Sequence, residues 1–566
     1  MAFILVLGVV LLGLYSLYRW LLPKPLPGIP YNPEATKKLF GDLPSLISEV
    51  AETGDMSGWI RKQAERTGAP VTQIFLKPFG KPSLLVCDFR EAQDVMVHRT
   101  KEFDRSDFVG ELFDGIGRGH HITLKTGPEW KIHRRLLQDL MSPGFLHDVA
   151  APSIYASSLN VLRLWELKAD MADGRPFPAS KDVFNAALDA VLAFGFGAGF
   201  KENATKAQLQ LLQDFPAEKL NRGSADDPVD FPTAHIGDAL SGMVALTHAV
   251  ERVRSYPNLR VGWWFLTRDK GVKAAVKAKD DCLHEELDKA VQARVEHREK
   301  GDVWVRSAVD HMVDREARLA EKEGRQPDFH SPAIMVEVFG FIVAGHDTTS
   351  NTLCWGVKFL AEHQEVQQRL RNDLQAAFSA AREEGRLPTA DEITKTNLPY
   401  LEATMEEILR VGNTVPILDR DATQDTTLLG YPVPKGTHMF FLNTGPSMLT
   451  PAFELDESKR SPHSREAKTR AWPNEDIGKF KPERWLTVEN GREVFDSQAG
   501  PTLPFGTGLR GCFGKRLAYL ELRLLLTLVV WNFEFLQCPA DLAGYDAIDG
   551  VVHGPKKCFV RLRKVA

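Results

Sequence analysis

Over most of the chain, apolar residues return every three or four positions, the spacing of a helix with one buried face. That period predicts helices over 59–66, 91–98, 127–141, 183–196, 205–214 and 272–299. Period-two runs are fewer: 71–76 and 83–87 read as two strands, with 77–82 supplying the turn. A further pair is expected to flank Tyr431-Pro432-Val433-Pro434-Lys435-Gly436. Two polar stretches, 318–329 and 456–470, read as solvated insertions. No internal repeat or low-complexity run divides the chain after residue 51. The expected fold class is therefore mainly α with small β-sheets (α+β), in one large domain over 51–566.

The N-terminus has a different pattern. No charge occurs from Ala2 to Tyr18, and the apolar stretch continues past Arg19 to Leu22, about the length that crosses a hydrocarbon core. Tyr15, Tyr18 and Trp20 sit at one end, and Arg19, Lys24, Lys37 and Lys38 follow. Aromatic rings favour the interface, and basic flanks stay on the cytoplasmic side. A positive leading region and a small-residue cleavage site are not evident, so the segment 1–22 reads as an uncleaved, single-pass signal anchor. The prolines at 23, 25, 27 and 30 predict a stiff hinge over 23–50.

One helix is chemically odd. Ser331 is suited to cap it and Pro332 to open it. From Ala333 to Ala344 only Glu337 is charged, and the apolar pattern runs on to Leu360. At its centre stands Ala344-Gly345-His346-Asp347-Thr348-Thr349, which combines a weak helix former with side chains that compete for backbone hydrogen bonds. Either a loop splits two helices there, or one helix opens beside a ligand with an acid and a hydroxyl facing it.

Composition adds exclusions. The chain is 43% hydrophobic and 26% charged, a globular balance, and its net charge of −5 gives no reason to expect nucleic acid as a partner. Six cysteines without a CxxC pair argue against a disulfide framework or a zinc ribbon. Only one has a telling context. In Phe505-Gly506-Thr507-Gly508-Leu509-Arg510-Gly511-Cys512-Phe513-Gly514, four glycines allow the backbone to bend and approach a flat partner. An amphipathic helix over 515–531 follows, so Cys512 lies just ahead of a helix N-terminus, where a thiolate is stabilised. Such a thiolate suits the axial position of haem iron. Cys87, Cys282, Cys354, Cys538 and Cys558 read as small packing residues.

This stretch resembles the cysteine signature of the cytochrome P450 haem-thiolate monooxygenases at each of its fixed positions, and Ala518 also fits. Further motifs occur in the family's order. Ala344-Gly345-His346-Asp347-Thr348 looks like the oxygen-activation motif. Glu407-Ile408-Leu409-Arg410 looks like the Glu-x-x-Arg pair, and Phe480-Lys481-Pro482-Glu483-Arg484-Trp485 like the segment that locks it, with Trp485 replacing the usual phenylalanine. Trp130-Lys131-Ile132-His133-Arg134 is similar to the Trp-x-x-x-Arg helix. Glu-x-x-Arg alone is weak: Glu251/Arg254, Glu383/Arg386 and Glu457/Arg460 match it and read as surface pairs.

What the resemblance implies is concrete. The cofactor would be haem b, iron protoporphyrin IX, with Cys512 as the iron's axial ligand and Phe505, Gly508, Gly514 and Ala344 against it. Trp130, Arg134 and Arg510 would hold the propionates, and Glu407, Arg410 and Arg484 would form a structural charge network. Thr348 would bond the bound dioxygen and Asp347 would relay protons, giving RH + O₂ + 2e⁻ + 2H⁺ → ROH + H₂O. Electrons would come from NADPH–cytochrome P450 reductase, with cytochrome b5 as an additional donor, docking on a basic face at Lys131, Arg135, Lys515 and Arg516. The anchor implies the endoplasmic reticulum membrane with a cytoplasmic catalytic domain. A lipophilic small molecule would bind among 103–129, 334–341, 415–418 and 551–554, where Phe108, Phe113 and Phe341 are candidate lining residues. The polar insertion before Trp472 looks like those of fungal members, and secondary metabolism is the expected setting. A cytochrome P450-fold isomerase or dehydratase using no external O₂, and a non-catalytic ligand carrier, are the alternatives; the Asp347–Thr348 pair argues against both.

Overall fold

Helices dominate the computed structural model, which describes residues 2–220, 223–256, 258–300 and 304–565. The apolar first segment forms one helix, Ala2–Leu21, long enough to cross a membrane and with no part of its apolar span buried against the protein. Beyond it the expected stiff hinge needs correcting. The Gln73 side chain accepts from the Leu26 N–H at 2.6 Å and donates to the carbonyls of Leu26 and Ile29, so the proline segment is fastened to a sheet. A helix, Leu43–Thr53, then runs across the expected boundary at residue 50.

The predicted strands form Val71–Ile74 and Ser83–Val86, paired antiparallel with Val71 opposite Val86. They edge a five-stranded mixed sheet in which Ser83–Val86 lies parallel to His438–Leu442, followed by Ile417–Ala422 and Phe103–Asp104. The pair expected to flank 431–436 is placed differently. Tyr431–Val433 is itself a strand, pairing with Thr426–Leu428 through a turn at Leu429 and Gly430, both left-handed. Proline-rich spacing had hidden that strand.

The helices at 59–66, 91–98, 183–196, 205–214 and 272–299 appear as Met56–Thr67, Phe89–Val97, Ser180–Phe196, Ala204–Gln213 and Lys270–Lys300. The helix expected over 127–141 is shorter, Pro128–Leu136, and turns replace its end. Both polar stretches are largely exposed, yet each also has a part tied into the fold. Residues 318–323 complete the helix Ala308–Glu323, which buries Val309, Met312, Val313 and Ala320. Within 456–470, Arg460 is buried and donates two hydrogen bonds to Asp88 at 2.6 and 2.8 Å, so Glu457/Arg460 is not a surface pair.

The central helix, Pro332–Glu362, spans roughly 46 Å at 1.5 Å per residue. Ser331 Oγ accepts from the Ile334 N–H and Pro332 fills the first turn, as its sequence predicts. It is unbroken. Neither a splitting loop nor an opening occurs at 344–349, because the polar side chains bond back along the helix. Thr348 Oγ1 donates to Ala344 O at 2.8 Å, and the His346 ring lies 2.7 Å from Ile342 O. Gly345 has a packing reason: a Cβ there would stand 2.6 Å from Val191 Cγ2 on the neighbouring helix Ser180–Phe196.

Candidate active site

The cysteine loop sits between two helices. Its backbone folds back so that the Cys512 N–H donates to Phe505 O at 2.8 Å, and the helix Lys515–Asn532 begins three residues later. Gly508 makes this possible: its φ is +69°, and a Cβ there would lie 2.2 Å from Met96 O at the end of the helix Phe89–Val97. The Phe505 ring is half-buried and packs on Tyr519, with centroids 5.2 Å apart. Nothing stands within 4 Å of where a Cβ of Gly514 would be, so space is open beside the thiol.

Cys512 is accessible to solvent although protein surrounds it closely, the situation of a residue on a cleft floor. Burial pushes its thiol up, while the backbone N–H groups of Gly514 and Lys515 and the charges of Arg134 and Lys515 pull it down. A thiolate there asks for a cation facing it. Among the described residues, the five other cysteines lie elsewhere; Cys354 and Cys558 are neighbours in the core, with Cys558 Sγ 3.7 Å from Cys354 O.

Around the thiol the structure gathers Trp130 and Arg134 from the helix Pro128–Leu136 and Arg510 from the cysteine loop. Arg134 lies 4.3 Å from the Phe513 ring centre and 5.7 Å from that of Trp130, and Arg510 lies 5.0 Å from the Trp130 ring centre. Arg510 donates to Leu124 O at 2.7 Å and to His121 O at 3.2 Å. Cations outnumber anions here. Burial, then Arg105, brings Arg510 down to about 9, and burial, then Arg105, brings Arg420 to about 10. Arg105 Nε is buried without a partner. Guanidinium groups so placed match an anionic, planar partner with two carboxylates.

On the central helix, positions 337, 341, 344 and 348 follow one another at i, i+4, i+7 and i+11, a single stripe. Ala344 is exposed and Asp347 and Thr348 are half-buried, although Val343, His346 and Thr349 around them are buried. Burial, helped by the Glu251 carboxylate, pushes Asp347 up to about 7. Of the candidate lining residues, Phe341 packs edge-on against Phe194 at 5.7 Å, Phe113 joins a cluster with Trp263 and Leu266, and Phe108 is exposed beside His438. The first two have ordinary packing partners. A cavity of about 950 Å³ lies elsewhere, lined by Trp355, Phe359, Phe480 and Tyr545; it contains neither Cys512 nor Thr348 and is not where this chemistry sits.

Away from the thiol, Glu407 is fully buried and accepts from five donors: Arg410 Nε and Nη2, Arg484 Nε, the Lys481 N–H and Trp485 Nε1, at 2.8 to 3.0 Å. The replacement of phenylalanine by Trp485 thus adds a donor. Among the buried acids that the sequence left without a role, two lie on the central and cysteine helices. Glu521 on the cysteine helix is raised well above the carboxylate range by burial, with Thr349 opposing. Glu337 is surrounded by His120, His121 and His133. Its signal was present in the sequence, as the one charge in an apolar stretch.

Comparison with known proteins shows the family. The family model for Cytochrome P450 matches residues 39–446 and 470–557, its gap falling at the polar insertion. Cytochrome P450 monooxygenase TRI13 of Fusarium sporotrichioides is 41% identical, covering 99% of this chain and 98% of that protein. Cytochrome P450 monooxygenase GME11363 of Pestalotiopsis microspora is 37% identical over 98% of this chain and 97% of its own length. Cytochrome P450 monooxygenase xilC of Penicillium rubens is 36% identical over 99% and 96%. The crystal structure of the cytochrome P450DA heme domain superposes with a TM-score of 0.67 at 18% identity, covering 96% of this chain and 99% of that one, which shows a shared fold. With fold, motif order and full-length relatives in agreement, the chain belongs to the cytochrome P450 family of oxidoreductases, which carry haem on a cysteine thiolate.

Proposed function

We propose that this enzyme inserts one atom of O₂ into a lipophilic small molecule in fungal secondary metabolism, with Cys512 as the iron ligand and Asp347 and Thr348 controlling protons. The observation that carries the reading is the cysteine loop: a thiol at a helix start, open space at Gly514, and Trp130, Arg134 and Arg510 converging beside it with cationic charge in excess. When bound, haem supplies the oxygen chemistry. Everything else falls to side chains of this chain. Arg134 and Arg510 would neutralise the carboxylates of the cofactor, and both guanidinium groups lie near the Trp130 ring, at 5.7 and 5.0 Å from its centre. Asp347, uncharged below about pH 7, holds a proton at the edge of the stripe. Thr348 hydroxyl, parked on Ala344 O, is free to swing away and present its proton.

Electrons come from NADPH–cytochrome P450 reductase, with cytochrome b5 as a further donor. Lys131, Arg135, Lys515 and Arg516 are all exposed on the cysteine side, as a docking face for an acidic partner requires. The helix Ala2–Leu21 anchors the chain in the endoplasmic reticulum membrane, with the catalytic domain in the cytoplasm. Exposed Val261, Trp264 and Phe265 on the helix Leu259–Leu266 offer a second apolar contact. The fungal monooxygenases similar to this chain support the metabolic setting.

The test is spectroscopic first. The reduced CO complex of the full chain should show the thiolate-type band, and Cys512→Ser should abolish it; a band that survives refutes the ligand assignment. Thr348→Ala should keep the band and divert electrons to peroxide, whereas unchanged coupling would remove Thr348 from the role. Product formation without NADPH or O₂ would overturn the monooxygenase reading in favour of an isomerase or dehydratase.

A further inference from the structure

The carboxylate of Glu337 is wholly buried, seven residues before Ala344 on the same stripe of the central helix. Four donors converge on its two oxygens: the His121 N–H at 2.8 Å, His121 Nδ1 at 2.6 Å, His133 Nδ1 at 2.7 Å and His120 Nε2 at 3.1 Å. That uses the full acceptor capacity of a carboxylate. The donors belong to two different segments, the loop 118–124 and the helix Pro128–Leu136 that carries Trp130 and Arg134. His120 reaches the central helix only because Gly340 leaves room: a Cβ there would fall 2.2 Å from its ring.

The same loop holds Arg510, whose guanidinium donates to the carbonyls of His121 and Leu124. The His121 ring stands edge-on to Phe513 at 6.0 Å, next to Cys512. A single acid therefore ties together the loop, the Trp130 helix and the cysteine loop. His120, His121 and Glu337 are close enough to invite a cation. Against that, His120 Nδ1 accepts from the Ile122 N–H at 3.3 Å, which puts the proton on Nε2, and contacts of 2.6 and 3.1 Å are hydrogen bonds with no space between. Burial opposes the charge on Glu337, but His120 beside it and the donors from His121 and His133 hold it well below the usual carboxylate range.

We propose that Glu337 is a positioning residue of the haem site, its carboxylate fixing loop and helix so that Arg510 and Arg134 are held in place for the haem carboxylates. The inference rests on the roles given above to those two arginines. It is tested on the full-length holoenzyme by the rate of haem transfer to apomyoglobin and by the haem reduction potential. Glu337→Gln should release haem about tenfold faster, what one lost charge-assisted contact is worth, and should raise the potential because a buried negative charge is gone. Arg510→Lys should also speed release, and the double variant should be no faster than the quicker single one, since both act through one element. Wild-type release and potential in Glu337→Gln, or losses that multiply in the double variant, overturn the proposal. Should Glu337→Gln not fold, His133→Leu removes only one of the four donors; several-fold faster release supports the clamp and a wild-type rate refutes it. A wild-type reduced CO complex without the thiolate band would instead refute the ligand assignment beneath it.

Discussion

Raising the pH through about 7 should lower the share of consumed NADPH that ends in product, and Asp347→Asn should remove that dependence. The cause is local. Burial, with the Glu251 carboxylate adding to it, moves Asp347 from 3.8 to about 7. At 1.36 kcal/mol per unit, the neutral form is favoured by about 4 kcal/mol relative to an exposed aspartate. The carboxyl therefore has a proton to give below about pH 7 and progressively lacks one above it. Between about pH 6 and 8 its protonated fraction falls roughly tenfold. Product, peroxide and NADPH are measured together at saturating reductase, for the wild type, Asp347→Asn and Glu251→Gln. Glu251→Gln removes the second cause and should shift the midpoint to lower pH. Stability gives an independent reading. The folded pKa lies above the unfolded one, so the folded state binds the extra proton between about pH 4 and 7, stability falls as pH rises through that window, and it levels off above 7. Asp347→Asn should flatten the matching slope in Tm. A wild-type midpoint persisting in the coupling profile of Asp347→Asn would show that another group sets it.

Other consequences can be checked more simply. Gly508→Ala meets both a left-handed φ and a carbonyl at 2.2 Å, so the purified protein should hold markedly less haem, read from the ratio of Soret to protein absorbance. Trp485→Phe deletes one hydrogen bond to a buried carboxylate and should cost about 1.5–3 kcal/mol in urea unfolding while leaving the CO band intact. Deleting residues 1–22 should release the protein from membranes at high salt, and a deleted chain that still sediments with them would point to the exposed Trp264 and Phe265 as an anchor of their own.

The chain announces its fold where side-chain pattern and backbone agree. The N-terminal apolar helix, the central helix with its Ser331 cap, and the hairpin of 71–74 with 83–86 were readable because period and capping coincide there. Tyr431–Val433 was hidden because Pro432 breaks the expected strand signal, and 318–323 because a charged surface turn closes an otherwise buried helix. At the site, the glycine-rich cysteine loop stood out through composition alone. The meeting of Trp130, Arg134 and Arg510 could be proposed only by resemblance, since nothing local links residues 380 positions apart. Glu337 lay beyond even that: its partners at 120, 121 and 133 are set by tertiary packing, which no period encodes.

Arg460 gives the polar insertion a structural part of its own. It grips Asp88, which caps the helix Phe89–Val97, and Ser461 holds Asp94 nearly two turns further on. The far end of that helix offers Met96 O to the spot where only Gly508 fits. An added segment outside the shared family pattern thus bears on the loop that defines the family. Grafting or trimming it is an edit to the foundations of the cysteine loop.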